Sequence, residues 1–191
     1  MTQLEIMGAN AKAASTFLRT AGSKKDNALL AIAKALRDNA DEIIKANQID
    51  LENGKNAGLT DSLLDRLRLT SERINGMAEG VEQVAALADP IGNVLEGRTL
   101  KNGLAIEKVR VPMGVIGIIF EARPNVTSDA AALCLKAGSA VILRGGKEAI
   151  NSNLAISEIM RNAIESVGFP KDCIALVKDT SRQSATELMQ L

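Results

Sequence analysis

Three short apolar runs constrain the fold more than any other feature of this chain: Val115 to Phe120, Ala140 to Leu143 and Ile174 to Val177. None alternates polar with apolar, so each reads as a strand buried on both faces, the condition of a parallel sheet covered by helices. Segments of helical period separate them, Ser128 to Ala137 after the first and Glu148 to Val167 after the second. Strand–helix alternation of this kind predicts right-handed βαβ units and an α/β fold. A last segment, Thr180 to Leu191, starts like a capped helix and is still apolar-periodic at Leu188, Met189 and Leu191. The sequence is therefore expected to be the front part of something longer.

Upstream, almost everything from Ala9 to Ala88 has helical period. Ala21-Gly22 ends the first segment, Ser23 caps a second, and Asn53-Gly54 breaks the pattern that runs through Ile43, Asn47 and Leu51. Thr60 and Thr70 or Ser71 start two more helices, and Asp89-Pro90 stops the last. Asn93 to Leu100 and Leu104 to Val111 then read as extended runs around Lys101-Asn102-Gly103, a strong hairpin signal. Three parts follow: a helical segment over 1–89, a hairpin over 90–111 and the strand–helix region over 112–191.

Charge and composition exclude several classes. Lys+Arg and Asp+Glu are both 23, so a nucleic-acid or membrane partner held by bulk electrostatics is not expected. The longest apolar run, Val111 to Phe120, is interrupted by Pro112 and two glycines and is too short to span a bilayer. The start of the chain carries Glu5 and no basic, then apolar, leader pattern, which makes the cytoplasm the expected location. With no histidine, Ser-His-Asp and Cys-His activation and HExxH metal sites are ruled out within this sequence. Two cysteines without CxxC spacing make neither a disulfide framework nor a zinc site.

The second apolar run ends in Arg144-Gly145-Gly146-Lys147. In an open α/β sheet, ligands sit outside the carboxyl ends of the strands, and cations there accommodate the 2′-phosphate of NADP where a carboxylate would select NAD. Gly145 and Gly146 would let such a ligand approach the backbone. The alternative is that Arg144 and Lys147 are solvated loop charges. Val141 and Glu148 break the GxxxxGK[ST] pattern, and FEARPN after the first strand holds no GxGxxG.

The stretch from Val109 to Asn153, with EARPNVT and ILRGGKEA, closely resembles the γ-glutamyl phosphate reductases of the aldehyde dehydrogenase superfamily. The wider superfamily pattern is carried by Pro112-x-Gly114-Val115-x-Gly117, Ala137-Gly138-x-x-Val141-x-Leu143 and Gly168-Phe169-Pro170. The resemblance implies a partial Rossmann-like sheet of that superfamily's type and a hairpin forming part of an oligomerisation arm. It also implies an NADPH-dependent reduction of γ-glutamyl phosphate to glutamate-5-semialdehyde in proline biosynthesis. By the same resemblance a homo-oligomer is expected, the nucleophilic cysteine lies beyond Leu191, and the present part alone is expected to be an inactive nucleotide-binding piece. Implied cofactor contacts are Ile119, Phe120, Glu121, Arg144, Gly145, Gly146 and Lys147. Arg123 and Asn125 become the candidates for substrate carboxylate or phosphate, against the alternatives of a Glu121–Arg123 ion pair and a helix-capping asparagine. Cys134, on a mostly apolar helix, and Cys173, near Lys171 alone, are not expected to act as nucleophiles.

Overall fold

The computed structural model describes residues 2–191. Helix α1 (Gln3–Leu18) begins earlier than Ala9, because Thr2 and Glu5 form a reciprocal capping box. Helices α2 (Lys24–Asp38) and α3 (Ala40–Asn56) follow. The break expected at Asn53-Gly54 does not occur. Gly54 faces inward, where an added Cβ would lie 2.9 Å from Leu59 and 3.2 Å from Leu64, so the glycine serves close packing inside the helix. A short α4 (Asp61–Leu67) and a longer α5 (Ser71–Ala86), capped by Thr70, complete the helical part.

Strands β1 (Val94–Thr99) and β2 (Ala105–Val109) form an antiparallel hairpin. Its turn is not the two-residue type that Asn-Gly suggests. The Leu100 carbonyl accepts from Gly103 N at 2.9 Å, and Gly103 alone takes a positive φ of 87°. Every residue of both strands is exposed.

Strands β3 (Val115–Ile119), β4 (Ala140–Arg144) and β5 (Ile174–Leu176) make a parallel sheet in the order β3-β4-β5, as the three apolar runs predict. Crossover helices α6 (Asn125–Lys136) and α7 (Ile150–Ser166) lie on one face, with α2, α3 and α5 packed outside them. Helices α1 and α8 (Arg182–Met189) pack against the sheet as well, Leu188 of α8 filling the space over Gly117. The central strand β4 is buried on both faces along Ala140–Leu143. Helix α6 starts three residues before the expected Ser128, directly after Pro124. Where Glu148–Val167 was expected as one helix, a 3-10 turn over Lys147–Ala149 precedes α7.

Two buried lysines join the layers. Lys136 of α6 donates to Asp26 at 2.6 Å and to the Ala85 carbonyl at 2.8 Å. Lys25 of α2 reaches Asp89 and, at 3.0 Å, the Lys136 carbonyl. No helix among the described residues is long and apolar enough to cross a membrane.

Candidate functional site

Parallel register brings two of the predicted clusters side by side. Ile119 pairs with Arg144, and Phe120 N donates to the Arg144 carbonyl at 3.0 Å. The segments Ile119–Glu121 and Arg144–Lys147 thus form one ledge at the carboxyl end of the sheet, where α/β proteins bind ligands. The start of α8 joins them there, since Arg144 donates through Nη2 to the carbonyls of Thr180 (2.5 Å) and Ser181 (2.8 Å). Its Nε is buried and has no hydrogen-bond partner among the described residues. Lys147 is exposed, and its side chain has no ion pair or hydrogen bond among the described residues.

The two glycines also answer a packing constraint, because protein fills the space that a side chain on either would need. A Cβ at Gly145 would collide with Asn153 Nδ2 and lie 3.0 Å from the Phe120 ring. At Gly146 it would meet Glu148 Oε2 at 2.8 Å and the Glu121–Ala122 backbone at 3.3 and 3.4 Å. Phe120 thereby turns its side chain toward β4, leaving its backbone and the exposed Ile119 on the ledge.

Arg123 and Asn125 stand apart, at the start of α6. They line a cavity of about 460 Å³ together with Arg66, Arg68, Arg73 and Asp129. The expected alternative of a Glu121–Arg123 ion pair is not found. Only the backbone joins them, Arg123 N donating to the Glu121 carbonyl at 2.9 Å. Asn125 donates to Asp129 Oδ2 at 3.0 Å rather than capping the helix with its side chain.

Residues 2–190 match the aldehyde dehydrogenase family. The chain belongs to that family. Among its relatives, the γ-glutamyl phosphate reductase of Clostridium beijerinckii is 54% identical over 192 residues, covering 100% of this chain and 46% of that protein. The crystal structure of the γ-glutamyl phosphate reductase from Thermotoga maritima superposes with a TM-score of 0.96 at 38% identity, over 98% of this chain and 46% of that one. The corresponding Saccharomyces cerevisiae structure gives 0.89 at 36%, over 95% and 47%. The chain therefore spans about half the length of the curated relatives it matches. The fold read from the three apolar runs and from the resemblance is that of an aldehyde dehydrogenase.

In this aldehyde dehydrogenase chain neither cysteine is poised as a nucleophile. Burial pushes the Cys134 thiol up to about 11, and burial together with Asp172 pushes Cys173 up to about 12. From the ordinary 9.0, a rise of that size lowers the thiolate fraction near pH 8 by about a hundredfold or more. Native protein treated with iodoacetamide at pH 8 should therefore label at both cysteines at least about a hundredfold more slowly than after denaturation. Comparable rates in the two states would contradict the buried placement.

Sequence reasoning missed Arg66, Arg68 and Asp129. A signal existed in Leu64-Asp65-Arg66-Leu67-Arg68-Leu69, where buried leucines are interspersed with exposed charges across the end of α4. It was absorbed into the helix-capping pattern around Thr70.

Proposed function

We propose that this chain is the cofactor-binding part of an NADP-dependent γ-glutamyl phosphate reductase, which converts γ-glutamyl phosphate to glutamate-5-semialdehyde and phosphate in the cytoplasm as a step of proline synthesis. The 54% identity to such a reductase across the chain carries the reading of the substrate. Support for the phosphorylated cofactor is the pair Arg144 and Lys147 at the carboxyl end of β4, neither engaged by a carboxylate. The orphaned Nε of Arg144 is a donor that the protein itself leaves without an acceptor.

The residues fit the group. Lys147 and the free side of the Arg144 guanidinium would hold a 2′-phosphate, Arg as a planar fork and Lys as a point charge. Ile119, Phe120 and Glu121 would offer backbone along the cofactor, and Gly145 and Gly146 keep that loop pressed against them. Glu148 lies over Gly146 yet pairs with neither cation. Bound NADPH supplies the hydride. Arg123 and Asn125 would contact the anionic substrate from the start of α6. The hairpin, with Val94, Leu95, Ile106 and Val109 all exposed, would form part of an arm joining subunits of a homo-oligomer. The three parts are then the helical segment 1–89, the arm 90–111 and the incomplete cofactor sheet 112–191.

The test is the reverse reaction of the protein at its full natural length. Glutamate-5-semialdehyde should reduce NADP only when phosphate is present, and NADP should be preferred to NAD by about tenfold or more. Oxidation without phosphate would overturn the reductase reading, and a preference for NAD would overturn the ribose assignment. A second reading, a nucleotide-binding module without catalysis, is favoured by the buried state of both cysteines. It predicts NADPH binding with no semialdehyde turnover in the same assay.

A further inference from the structure

Three guanidinium groups face the cavity between the α4–α5 turn and the start of α6 with nothing to hold. Arg66, Arg68 and Arg123 have no side-chain partner among the described residues. Arg73, by contrast, is spent on the turn itself. It binds Asp65 Oδ1 at 3.0 Å, the Asp65 carbonyl and, at 2.8 Å, the Arg68 carbonyl.

The backbone that carries Arg68 is fixed from inside. Asn47, 1% exposed, donates to the Leu67 carbonyl at 2.8 Å and accepts from Leu69 N at 2.8 Å, so it grips the chain on both sides of Arg68. A solvated surface charge requires no such support, whereas a side chain that must meet a ligand at a set position does. The cavity also opens on the start of α6, which has no side-chain cap and no acid in its first turn, so the helix dipole adds to the positive field.

Two acids line the cavity, and Asp65 is already held by Arg73. Asp129 lines the same cavity and pairs with none of the arginines. Asp129 is exposed; partial desolvation holds its carboxyl above its ordinary value against hydrogen bonds from Asn125 and Ser128, and a cation placed beside it would favour the charged form. A phosphate dianion would gain from the arginines and be repelled by Asp129. An α-amino acid presents one charge of each sign and uses both.

We infer that this cavity recognises the amino-acid end of the substrate, with Arg68 and Arg66 taking the α-carboxylate opposite Arg123 and Asp129 receiving the α-ammonium. The identity of that substrate rests on the function proposed above. The assignment separates the two ends of the substrate: the phosphoryl group is bound elsewhere, and this cavity reads the group that distinguishes the substrate from a simple acyl phosphate.

The experiment measures the reverse reaction of the full-length protein, in which the Michaelis constants for semialdehyde and phosphate are obtained separately. Arg68→Ala should raise KM for glutamate-5-semialdehyde about thirtyfold while the KM for phosphate moves less than threefold. Asp129→Asn should weaken glutamate-5-semialdehyde but not 5-oxopentanoate, which lacks the ammonium. A rise confined to the phosphate KM, or equal loss with both aldehydes, would overturn the inference. Calorimetry on the same protein with L-glutamate and with glutarate gives a readout free of turnover. Wild type should prefer L-glutamate, and Asp129→Asn should erase the preference. That pattern without semialdehyde turnover would sink the reductase reading and leave the amino-acid site standing. Turnover with no such preference would do the reverse.

Discussion

Lys147→Glu should weaken NADPH binding to the full-length protein about a hundredfold, roughly 2.7 kcal/mol, while leaving NADH within about threefold. Lys147 is exposed and its side chain has no polar partner among the described residues, so the substitution removes no ion pair or hydrogen bond on which the fold depends. What it changes is the charge that a 2′-phosphate would meet, and NADH lacks that phosphate. Arg144→Glu differs in kind. It also loses the two hydrogen bonds to Thr180 and Ser181 and sets a carboxylate against their carbonyls, so part of its effect falls on both cofactors. The double variant should therefore show a specific loss of about a thousandfold for NADPH, on top of a smaller loss shared with NADH. Titration of both variants with both cofactors checks this. Equal loss for NADPH and NADH in Lys147→Glu would show that the lysine does not face the adenosine ribose.

The strands were legible as short apolar runs, although only β4, along Ala140–Leu143, and β5 are buried on both faces, while β3 leaves Gly117 and Ile119 exposed. Val115–Ile119, Ala140–Arg144 and Ile174–Leu176 fall within one residue of the apolar runs. Helix boundaries were less legible wherever a partner distant in sequence supplies the cap or the packing. Gly54 reads locally as a stop, yet Leu59 and Leu64 fold back over it and keep the helix going. The start of α7 falls after Ala149, which cannot cap with its side chain, since the capping group comes from α3. Only the boundary of α1 could have been placed better from the sequence, from Thr2 and Glu5.

The candidate site divides the same way. Ile119 and Arg144 lie on strands whose register follows from the fold, so their meeting was legible. Arg66 at the end of α4 and Arg68 just after it come beside Arg123 only because α5 packs on α6, a contact no local pattern announces. The paired glycines carry a constraint that their spacing did not announce: a Cβ on either would meet Phe120, Asn153 or Glu148.

Asp50→Ala should destabilise the protein by about 3–5 kcal/mol, a large fraction of a typical domain's stability. The Asp50 carboxylate is 1% exposed and accepts from Asn151 N (3.1 Å), Asn151 Nδ2 (2.7 Å), Ser152 N (2.7 Å) and Ser152 Oγ (2.6 Å). It is an N-cap delivered from α3 to α7, whose own N-cap residue, Ala149, provides no side-chain cap. Alanine would leave those donors buried without an acceptor, each at about 1–3 kcal/mol before water enters. Asp50→Asn, which keeps one accepting oxygen but turns an amide toward the same donors, should lose less. Ser152 Oγ also accepts from Asn47 Nδ2 at 3.0 Å, so the buried chain continues from Asp50 through Ser152 to the backbone on either side of Arg68. Asn47→Ala and Asp50→Ala should therefore be non-additive, with a coupling of about 0.5–3 kcal/mol in a double-mutant cycle followed by denaturant unfolding. Simple additivity would mean that the start of α7 and the turn bearing Arg68 are held independently. Coupling would mean that a single buried network sets the position of both the loop proposed for the cofactor phosphate and the arginine proposed for the amino-acid end.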